Sequence, residues 1–195
     1  MTERVKFRSI IGNRPQHLKG GKMVERETTY SYELNAWIGV GANLGNPKKT
    51  VPAAIRRLNE QAQVNVQKSS SLYQTKPISS ISQPDFINAV VRVRTSLDPM
   101  ELLNVLLKVE SEFGRIRDDS VDGPRVLDMD LLIYSDLILD LPELSVPHPR
   151  LTERLFVLKP LREIESSIKL PGLGSIDQYM HACRDQKVKK VSDGR

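Results

Sequence analysis

The sequence predicts an α+β fold in which helices pack on a mainly antiparallel sheet. Three observations support this class. Two segments carry apolar residues at helical spacing behind suitable N-cap residues, and four segments show the apolar runs or the alternation typical of strands. The order of these segments along the chain is β-α-β-β-α-β. This order is typical of a ferredoxin-like sandwich, an antiparallel sheet with two helices on one face.

The first strand and the first helix have clear boundary residues. Residues 36–41, Ala-Trp-Ile-Gly-Val-Gly, form an apolar run that ends in glycine and indicates a buried strand. Asn46 is a suitable N-cap, and Pro47 fits the first helical position. Apolar residues then recur at helical spacing to about residue 61: Val51, Ala54, Ile55 and Leu58.

Two further strands and a loop follow. Residues 64–73 alternate and predict the second strand, whereas residues 74–85 are rich in turn formers and predict a loop. Residues 86–93 alternate clearly and predict the third strand. One face of this strand carries Ile87, Ala89, Val91 and Val93, and the other carries Phe86, Asn88 and Val90.

The second helix is bounded at both ends. Asp98 and Glu101 fit a capping box, Pro99 fits the first helical position, and Gly114 is a suitable terminator. The apolar stripe between these boundaries consists of Leu102, Leu103, Leu106, Val109 and Phe113.

The fourth strand contains a pair of acids. Residues 123–134 have the pattern of a buried strand after a Gly-Pro turn, yet Asp128 and Asp130 interrupt it. Residues two apart in a strand point to the same face, roughly 6.5 Å apart, so the two carboxylates repel each other. We expect a positive charge between them. Arg125 is one candidate and Mg²⁺ a better one, because carboxylates and substrate phosphates together hold this ion; the alternative is a strand with one solvated face.

Three regions are expected along the chain. Residues 1–33 predict a flexible basic extension, since six Lys or Arg precede residue 25 without periodicity; an organellar transit peptide is the alternative. Residues 34–173 predict the folded domain, with a short hairpin around 137–139 and short helices near 150–164. Residues 174–195 predict a polar, loosely attached tail.

Composition limits the possible functions. The 195 residues suit one domain, and the net charge of +5 favours an anionic partner. An aromatic content of 5% argues against the stacking platforms of single-strand nucleic-acid binders, so a phosphate-bearing small molecule is favoured over nucleic acid.

No apolar run could span a membrane and no secretory signal is visible, so no membrane partner is expected. The single cysteine, Cys183, fits the reducing cytoplasm; the oligomeric state is left open, with a monomer as the working expectation.

Side chains must bind any polyphosphate, because no phosphate-binding loop is present. The stretch Gly39-x-Gly41 has the wrong spacing for a dinucleotide fingerprint and is more typical of turn residues. His148 lies between two prolines in a stiff turn, where it is either structural or a phosphate ligand. Arginine suits bidentate phosphate contacts, although a single arginine is more often solvated. Five arginines lie near the acidic pair or His148: Arg115, Arg117, Arg125, Arg150 and Arg154.

Four ordered motifs resemble those of the 6-hydroxymethyl-7,8-dihydropterin pyrophosphokinase family. The likeness runs from about Ala36 to Ile164. The motifs are Ile-Gly-x-Gly-x-Asn-Leu-Gly at 38–45, Tyr-Gln-Thr at 73–75 with Gln-Pro-Asp-Phe-Ile-Asn at 83–88, Gly-Pro-Arg-x-x-Asp-x-Asp at 123–130, and Val-Pro-His-Pro-Arg-x-x-x-Arg-x-Phe at 146–156. The resemblance implies transfer of the pyrophosphoryl group of ATP to the pterin hydroxymethyl group, releasing AMP, in folate biosynthesis.

The resemblance also implies roles for individual residues. Asp128 and Asp130 would hold two Mg²⁺ ions on the triphosphate, and Arg115 and Arg125 would act in catalysis with them. The ATP-binding residues would be Arg117, His148 and Arg154. The pterin-binding residues would be Thr75, Ile78, Phe86, Asn88 and Phe156. The loops at 74–85 and 115–124 would close over the substrates and exclude water.

The chain departs from the family pattern at three positions. Asp122 takes the place of a usual aromatic residue, Lys76 that of a common proline, and Leu155 that of a small residue. These changes bear on affinity and loop dynamics more than on the reaction.

One competing hypothesis is a non-catalytic ferredoxin-like module that binds RNA or a small regulator. A third is a catalytic domain once joined to a neighbouring folate enzyme.

Overall fold

The computed structural model describes residues 33–78, 82–116 and 123–192. The elements in chain order are β1 (Leu34–Ala42), α1 (Pro47–Asn59), β2 (Val64–Ser69), β3 (Tyr73–Thr75), β4 (Phe86–Thr95), α2 (Pro99–Glu112), β5 (Asp128–Tyr134), β6 (Leu139–Asp140), β7 (Ser145–Val146), α3 (Leu155–Ile164), β8 (Lys169–Leu170), β9 (Gly174–Ser175), α4 (Ile176–Ala182) and β10 (Val188–Lys190). A 3-10 turn at Leu151–Glu153 precedes α3. Within these residues, no helix is long and apolar enough to cross a membrane.

The main sheet confirms the ferredoxin-like α+β prediction. Among the described strands it has six members in the order β10-β3-β4-β1-β5, with β2 also paired to β4, and every pairing is antiparallel. Strand β1 therefore lies between β4 and β5, which follow it by 44 residues or more in the sequence.

The predicted strand 64–73 is two strands on the same edge of β4. Val64 pairs with Thr95 at one end of this edge, and Tyr73 pairs with Asn88 at the other. Between them, Ser70 bonds Val90 through both its backbone N–H and its hydroxyl, at 2.9 and 3.0 Å. The Ser70 hydroxyl thus accepts the hydrogen bond that a backbone carbonyl accepts in a regular sheet. This interruption divides the predicted strand in two.

The two faces of the sheet are covered differently. Ala36, Ile38 and Val40 of β1 are almost fully buried in the core that includes the apolar stripes of α1 and α2. On the other face, Val90 and Leu132 lie in a second core with α3 and α4. Beside this second core, the part of the sheet around Gly39 and Gly41 remains open and lines a cleft.

The predicted helix caps are confirmed. Asn46 Oδ1 accepts from the Lys49 N–H at 3.3 Å. Asp98 and Glu101 form the reciprocal capping box, with bonds of 2.8 and 2.9 Å. These side chains satisfy N–H groups that have no partner within the first turn of a helix.

The C-terminal segment differs from the predicted loose tail. Residues 174–192 contribute β9, α4 and β10, and β10 extends the main sheet by pairing Val188 with Thr75. Ile176 and Cys183 are buried in the second core. The sequence of this segment is mostly polar, so neither the burial of its few apolar residues nor its strand pairing could be predicted from the sequence. Residues 1–32 and 193–195 lie outside the described part of the chain, so the basic extension stays a prediction.

We expect replacement of Ile176 by alanine to destabilise the fold. Its side chain is fully buried, so loss of transfer free energy and the cavity left behind should cost about 2–5 kcal/mol of unfolding free energy. Ile138→Ala is the control, because that side chain is 64% exposed and its removal should change stability by less than about 0.5 kcal/mol. Urea unfolding measures both; equal, small effects would show that the C-terminal segment is not docked.

Candidate functional site

A cleft opens over the exposed part of the sheet. Its empty space is about 750 Å³ when the part open to solvent is included. Its lining comes from the ends of β1, β3, β4, β5 and α3 and from the segments between them. The residues are Gly39, Gly41, Thr75, Lys76, Pro77, Ile78, Gln83, Phe86, Asn88, Arg125, Asp128, Asp130, Arg150, Arg154, Phe156 and Val157.

Two glycines inside β1 form the floor of the cleft. Gly41 pairs with Asn88 on one side and with Asp128 on the other, and Gly39 pairs with Asp130. A Cβ atom at Gly41 would lie 2.8 Å from Asn88 Oδ1. Both glycines are strand residues, as the apolar run at 36–41 predicted, and neither lies in a turn, the other role considered for them. Their missing side chains leave space between the amide on β4 and the carboxylates on β5.

Asp128 lies on the cleft side of β5 between two arginines. Its Oδ2 accepts from Arg125 Nη1 at 2.8 Å, and its Oδ1 accepts from Arg115 Nη1. Burial acts to raise the pKa of this carboxyl, but the guanidinium groups of Arg125 and Arg115 outweigh it, so the pKa is lowered. Asp128 is therefore ionised at neutral pH.

Asp130 points into the same cleft, but less positive charge lies beside its carboxylate. Its Oδ2 lies 3.4 Å from Arg154 Nη1, a longer contact than those of Asp128. Burial and the neighbouring charge of Asp128 raise the pKa of Asp130 to about 6. The two acids thus have different environments, and an additional cation beside them would stabilise the ionised form of Asp130.

The donor set fits a hard divalent cation. Carboxylate oxygens are the ligands that Mg²⁺ prefers, and Asp128 and Asp130 present theirs on one face. Within the described residues, no cluster of three or more His, Cys, Asp or Glu side chains could hold a metal by itself. A cation here would therefore need further oxygen ligands from a substrate or from water.

Glu110 supports this acidic pair and was not singled out in the sequence. It is 1% exposed, and its Oε1 accepts from the Met129 N–H at 2.7 Å and from Arg115 Nη1 at 2.9 Å. Arg115 also donates to the Leu127 carbonyl at 3.0 Å. Glu110 thereby fixes both the start of β5 and Arg115. The available signal was an acid directly after Val109, on the buried side of α2.

Asn43 is a second residue without a role in the sequence analysis. It is 3% exposed and its Nδ2 donates to Gln83 Oε1 at 2.9 Å and to the Pro84 carbonyl at 3.2 Å. Its Oδ1 accepts from the Arg125 N–H at 2.7 Å. One asparagine thus joins the segments on either side of the cleft. Its place in the motif at 38–45 was the only signal.

The cleft lining also includes an oriented amide and two aromatic rings. Asn88 Nδ2 donates to Thr75 Oγ1 at 2.9 Å, and both residues are buried. This bond fixes the amide so that Oδ1 is directed towards Gly41. Phe86 and Phe156 line the cleft, and Arg154 Cζ lies 5.7 Å from the centre of the Phe156 ring. Ile78 lines the mouth and is exposed.

The basic residues expected at ATP are only partly brought together. Arg125, Arg150 and Arg154 line the cleft, whereas Arg115 reaches it through Asp128. Arg117 and Asp122 lie outside the described residues.

His148 is a neutral group beside this cluster. Burial and the nearby Arg154 lower its pKa to about 4, and its Nδ1 accepts from the Arg150 N–H at 3.0 Å. This bond assigns the ring proton to Nε2. His148 can therefore donate a hydrogen bond at neutral pH, but it does not add positive charge.

Comparisons with known proteins identify relatives of this chain. Residues 37–166 match the family model described as 7,8-dihydro-6-hydroxymethylpterin-pyrophosphokinase. The chain is 35% identical over 159 residues to the 2-amino-4-hydroxy-6-hydroxymethyldihydropteridine pyrophosphokinase of Haemophilus influenzae, covering 82% of this chain and 99% of that one. It is 42% identical over 129 residues to the protein of the same name from Bacillus subtilis, covering 66% of this chain and 77% of that one.

Solved structures share the fold. A Plasmodium falciparum HPPK-DHPS crystal structure with pterin and p-hydroxybenzoate superposes with a TM-score of 0.61 at 16% identity. The match covers 80% of this chain and 45% of that larger one. At this identity the likeness concerns the fold alone.

We expect Asp130 to titrate near pH 6 in the ligand-free protein. Because its pKa is raised above that of the unfolded chain, the folded state binds the extra proton, and the contribution of Asp130 to stability should fall as pH rises from about 4 to about 6. His148, whose pKa is lowered to about 4, contributes a slope of opposite sign over this range. Asp130→Asn should remove the Asp130 contribution, so the stability of the wild type relative to the variant should fall between these pH values. Carboxyl NMR titration and urea unfolding at several pH values measure it; a midpoint near 4 for Asp130 would contradict the description of the site.

Proposed function

Because the chain belongs to the 7,8-dihydro-6-hydroxymethylpterin-pyrophosphokinase family, we propose that the cleft over β1 is its active site. The enzyme transfers the pyrophosphoryl group of ATP to 6-hydroxymethyl-7,8-dihydropterin, which gives the pterin diphosphate and AMP in folate biosynthesis. The observation that carries the proposal is the register of three strands. Gly41 pairs with Asn88 on one side and with Asp128 on the other, which supports a site that binds a flat polar ring beside phosphates.

The pterin is proposed to bind between Phe86 and Phe156. Aromatic side chains bury the faces of a flat ring, and both rings line the same cleft. Asn88 would read the ring edge, since its amide offers an acceptor and a second N–H after the bond to Thr75. Ile78 would cover the ring from the mouth of the cleft.

The triphosphate is proposed to lie over the arginines and the acidic pair. Arg125 and Arg154 would contact the phosphates and stabilise the charge that develops during transfer, because fixed guanidinium groups stabilise such charge without reorganisation. Arg115 would hold Asp128 in place, through its bonds to both Asp128 and Glu110. Arg117 and His148 are proposed as further ATP ligands, His148 as a neutral donor.

Asp128 and Asp130 are proposed to hold two Mg²⁺ ions together with the phosphates. Bound Mg²⁺ would neutralise the triphosphate and lower the pKa of the pterin hydroxymethyl group. The residues of the chain supply the remaining requirements. The arginines would orient the phosphates, and Asn88 would orient the ring.

The proposal extends to the working form of the enzyme. We propose a monomer as this form. A single, buried cysteine supports a reducing compartment, for which we propose the cytoplasm.

We expect AMP as the nucleotide product when ATP, Mg²⁺ and 6-hydroxymethyl-7,8-dihydropterin are combined with the enzyme. Little turnover should occur without the pterin, because the acceptor hydroxyl is then missing. Chromatography of the nucleotides after incubation separates AMP from ADP. Formation of ADP in place of AMP would exclude pyrophosphoryl transfer.

We expect Asp130→Asn to reduce kcat by about 10²–10³-fold or more, because a preorganised charged group at the reacting phosphates is lost. The fold should remain intact, since the amide keeps the size of the side chain and removes a like charge. Asp140→Asn is the matched control, because Asp140 is exposed in the small hairpin and bonds Ser145. Steady-state kinetics compare the two; substantial activity of Asp130→Asn would remove the proposed metal role.

A further inference from the structure

The turn that carries Arg154 into the cleft is held by a side chain from the C-terminal segment. The Leu155 N–H donates to Gln186 Oε1 at 2.9 Å, and Gln186 Nε2 donates to the Glu153 carbonyl at 2.7 Å. The two backbone groups lie directly before and after Arg154. One amide therefore fixes the chain on both sides of this arginine.

Arg154 supplies no side-chain cap to this turn, although its carbonyl accepts from the Val157 and Leu158 N–H groups at 3.0 Å. Arg154 is the N-cap residue of α3 with an extended conformation, φ −119° and ψ 96°, and its side chain makes no cap hydrogen bond. A guanidinium group cannot accept a hydrogen bond, so it cannot satisfy the N–H groups of the first helical turn. A neutral amide can donate and accept at once. Gln186 thus bonds the carbonyl before Arg154 and the N–H after it, as the backbone of a neighbouring strand would.

Gln186 is itself fixed on both sides. Its N–H donates to the Cys183 carbonyl at 3.0 Å, and the Cys183 thiol lies 3.4 Å from the Thr152 carbonyl. Two residues later, Val188 pairs with Thr75 of β3, and its carbonyl accepts from Lys159 Nζ at 3.2 Å. The segment that presents Gln186 is thus attached to β3, to α3 and to the turn before α3.

The position of Arg154 in the cleft depends on this turn. Arg154 Nη1 reaches Asp130 at 3.4 Å, and the guanidinium lies against the ring of Phe156. A long side chain amplifies any change in its backbone, so a shift of the turn would displace the guanidinium from the acidic pair. The family match ends at residue 166, so Gln186 lies outside the matched region.

We propose that Gln186 is a positioning residue for the transfer reaction, which fixes the turn at 153–155 so that Arg154 meets the triphosphate beside Asp130. This inference rests on the proposed function, in which Arg154 binds the phosphates of ATP. Gln186 does not touch the substrates; it acts through Arg154.

The test compares two glutamine-to-glutamate changes in the full-length enzyme. Gln186→Glu keeps an acceptor for the Leu155 N–H but places a carboxylate oxygen against the Glu153 carbonyl. We expect kcat/KM for ATP to fall by about 3- to 10-fold, the usual effect of losing one or two backbone hydrogen bonds. Gln178→Glu is the matched control, because Gln178 bonds the Leu173 carbonyl at 2.9 Å in the same way on exposed α4. It should retain wild-type kinetics.

A double-mutant cycle with Arg154→Ala separates positioning from general destabilisation. If Gln186 acts through Arg154, its replacement should cost less than 2-fold in the Arg154→Ala background. Gln186→Ala, which adds no charge, serves as the second variant, and thermal unfolding confirms that each protein is folded at the assay temperature. Wild-type ATP kinetics for both Gln186 variants, or an equal loss in both backgrounds, would overturn the inference alone. Wild-type ATP kinetics for Arg154→Ala would instead overturn the role of Arg154 in the proposed function, and the inference with it.

Discussion

The site depends on two carboxylates on one face of β5 whose negative charges are neutralised to different extents by nearby arginines. Asp128 is held by two guanidinium groups, whereas Asp130 has one longer contact, and its pKa is raised to about 6. Two acids this close are stable only where positive charge is supplied. Asp128 receives that charge from the protein, and Asp130 would receive the rest from metal ions that arrive with ATP. The acidic pair is therefore stable without substrate and remains able to bind a cation.

Residues distant in sequence keep this arrangement in place. Glu110 fixes Arg115 and the Met129 N–H, and Asn43 fixes the backbone of Arg125. On the other side of the cleft, Thr75 orients Asn88, and Gln186 fixes the turn of Arg154. The two glycines of β1 leave the space between these walls. Because each support comes from a different element, the complete fold is needed before the chemistry of Asp128 and Asp130 can be used.

The sequence predicted what depends on local pattern. The order of elements, the helix caps at Asn46 and Asp98, and the acids on one face of β5 follow from periodicity and from boundary residues. The ordered motifs indicated the family. The roles of Glu110, Asn43 and Gln186 did not follow, because each bonds a partner that lies 19 to 82 residues away and is reached only through tertiary contacts. The docking of the C-terminal segment was missed for a similar reason, since backbone pairing and two buried side chains attach a mostly polar stretch.

The most direct test of the central claim is calorimetry of a non-hydrolysable ATP analogue, with and without Mg²⁺, on the wild-type enzyme and on Asp130→Asn. If the acidic pair holds the metal-bound triphosphate, Mg²⁺ should strengthen nucleotide binding to the wild type, and this gain should be lost in the variant. Subsequent addition of the pterin should then give tight binding only to the nucleotide complex of the wild type. Equal Mg²⁺-dependent gains in both proteins would contradict the assignment of Asp128 and Asp130 as the metal clamp.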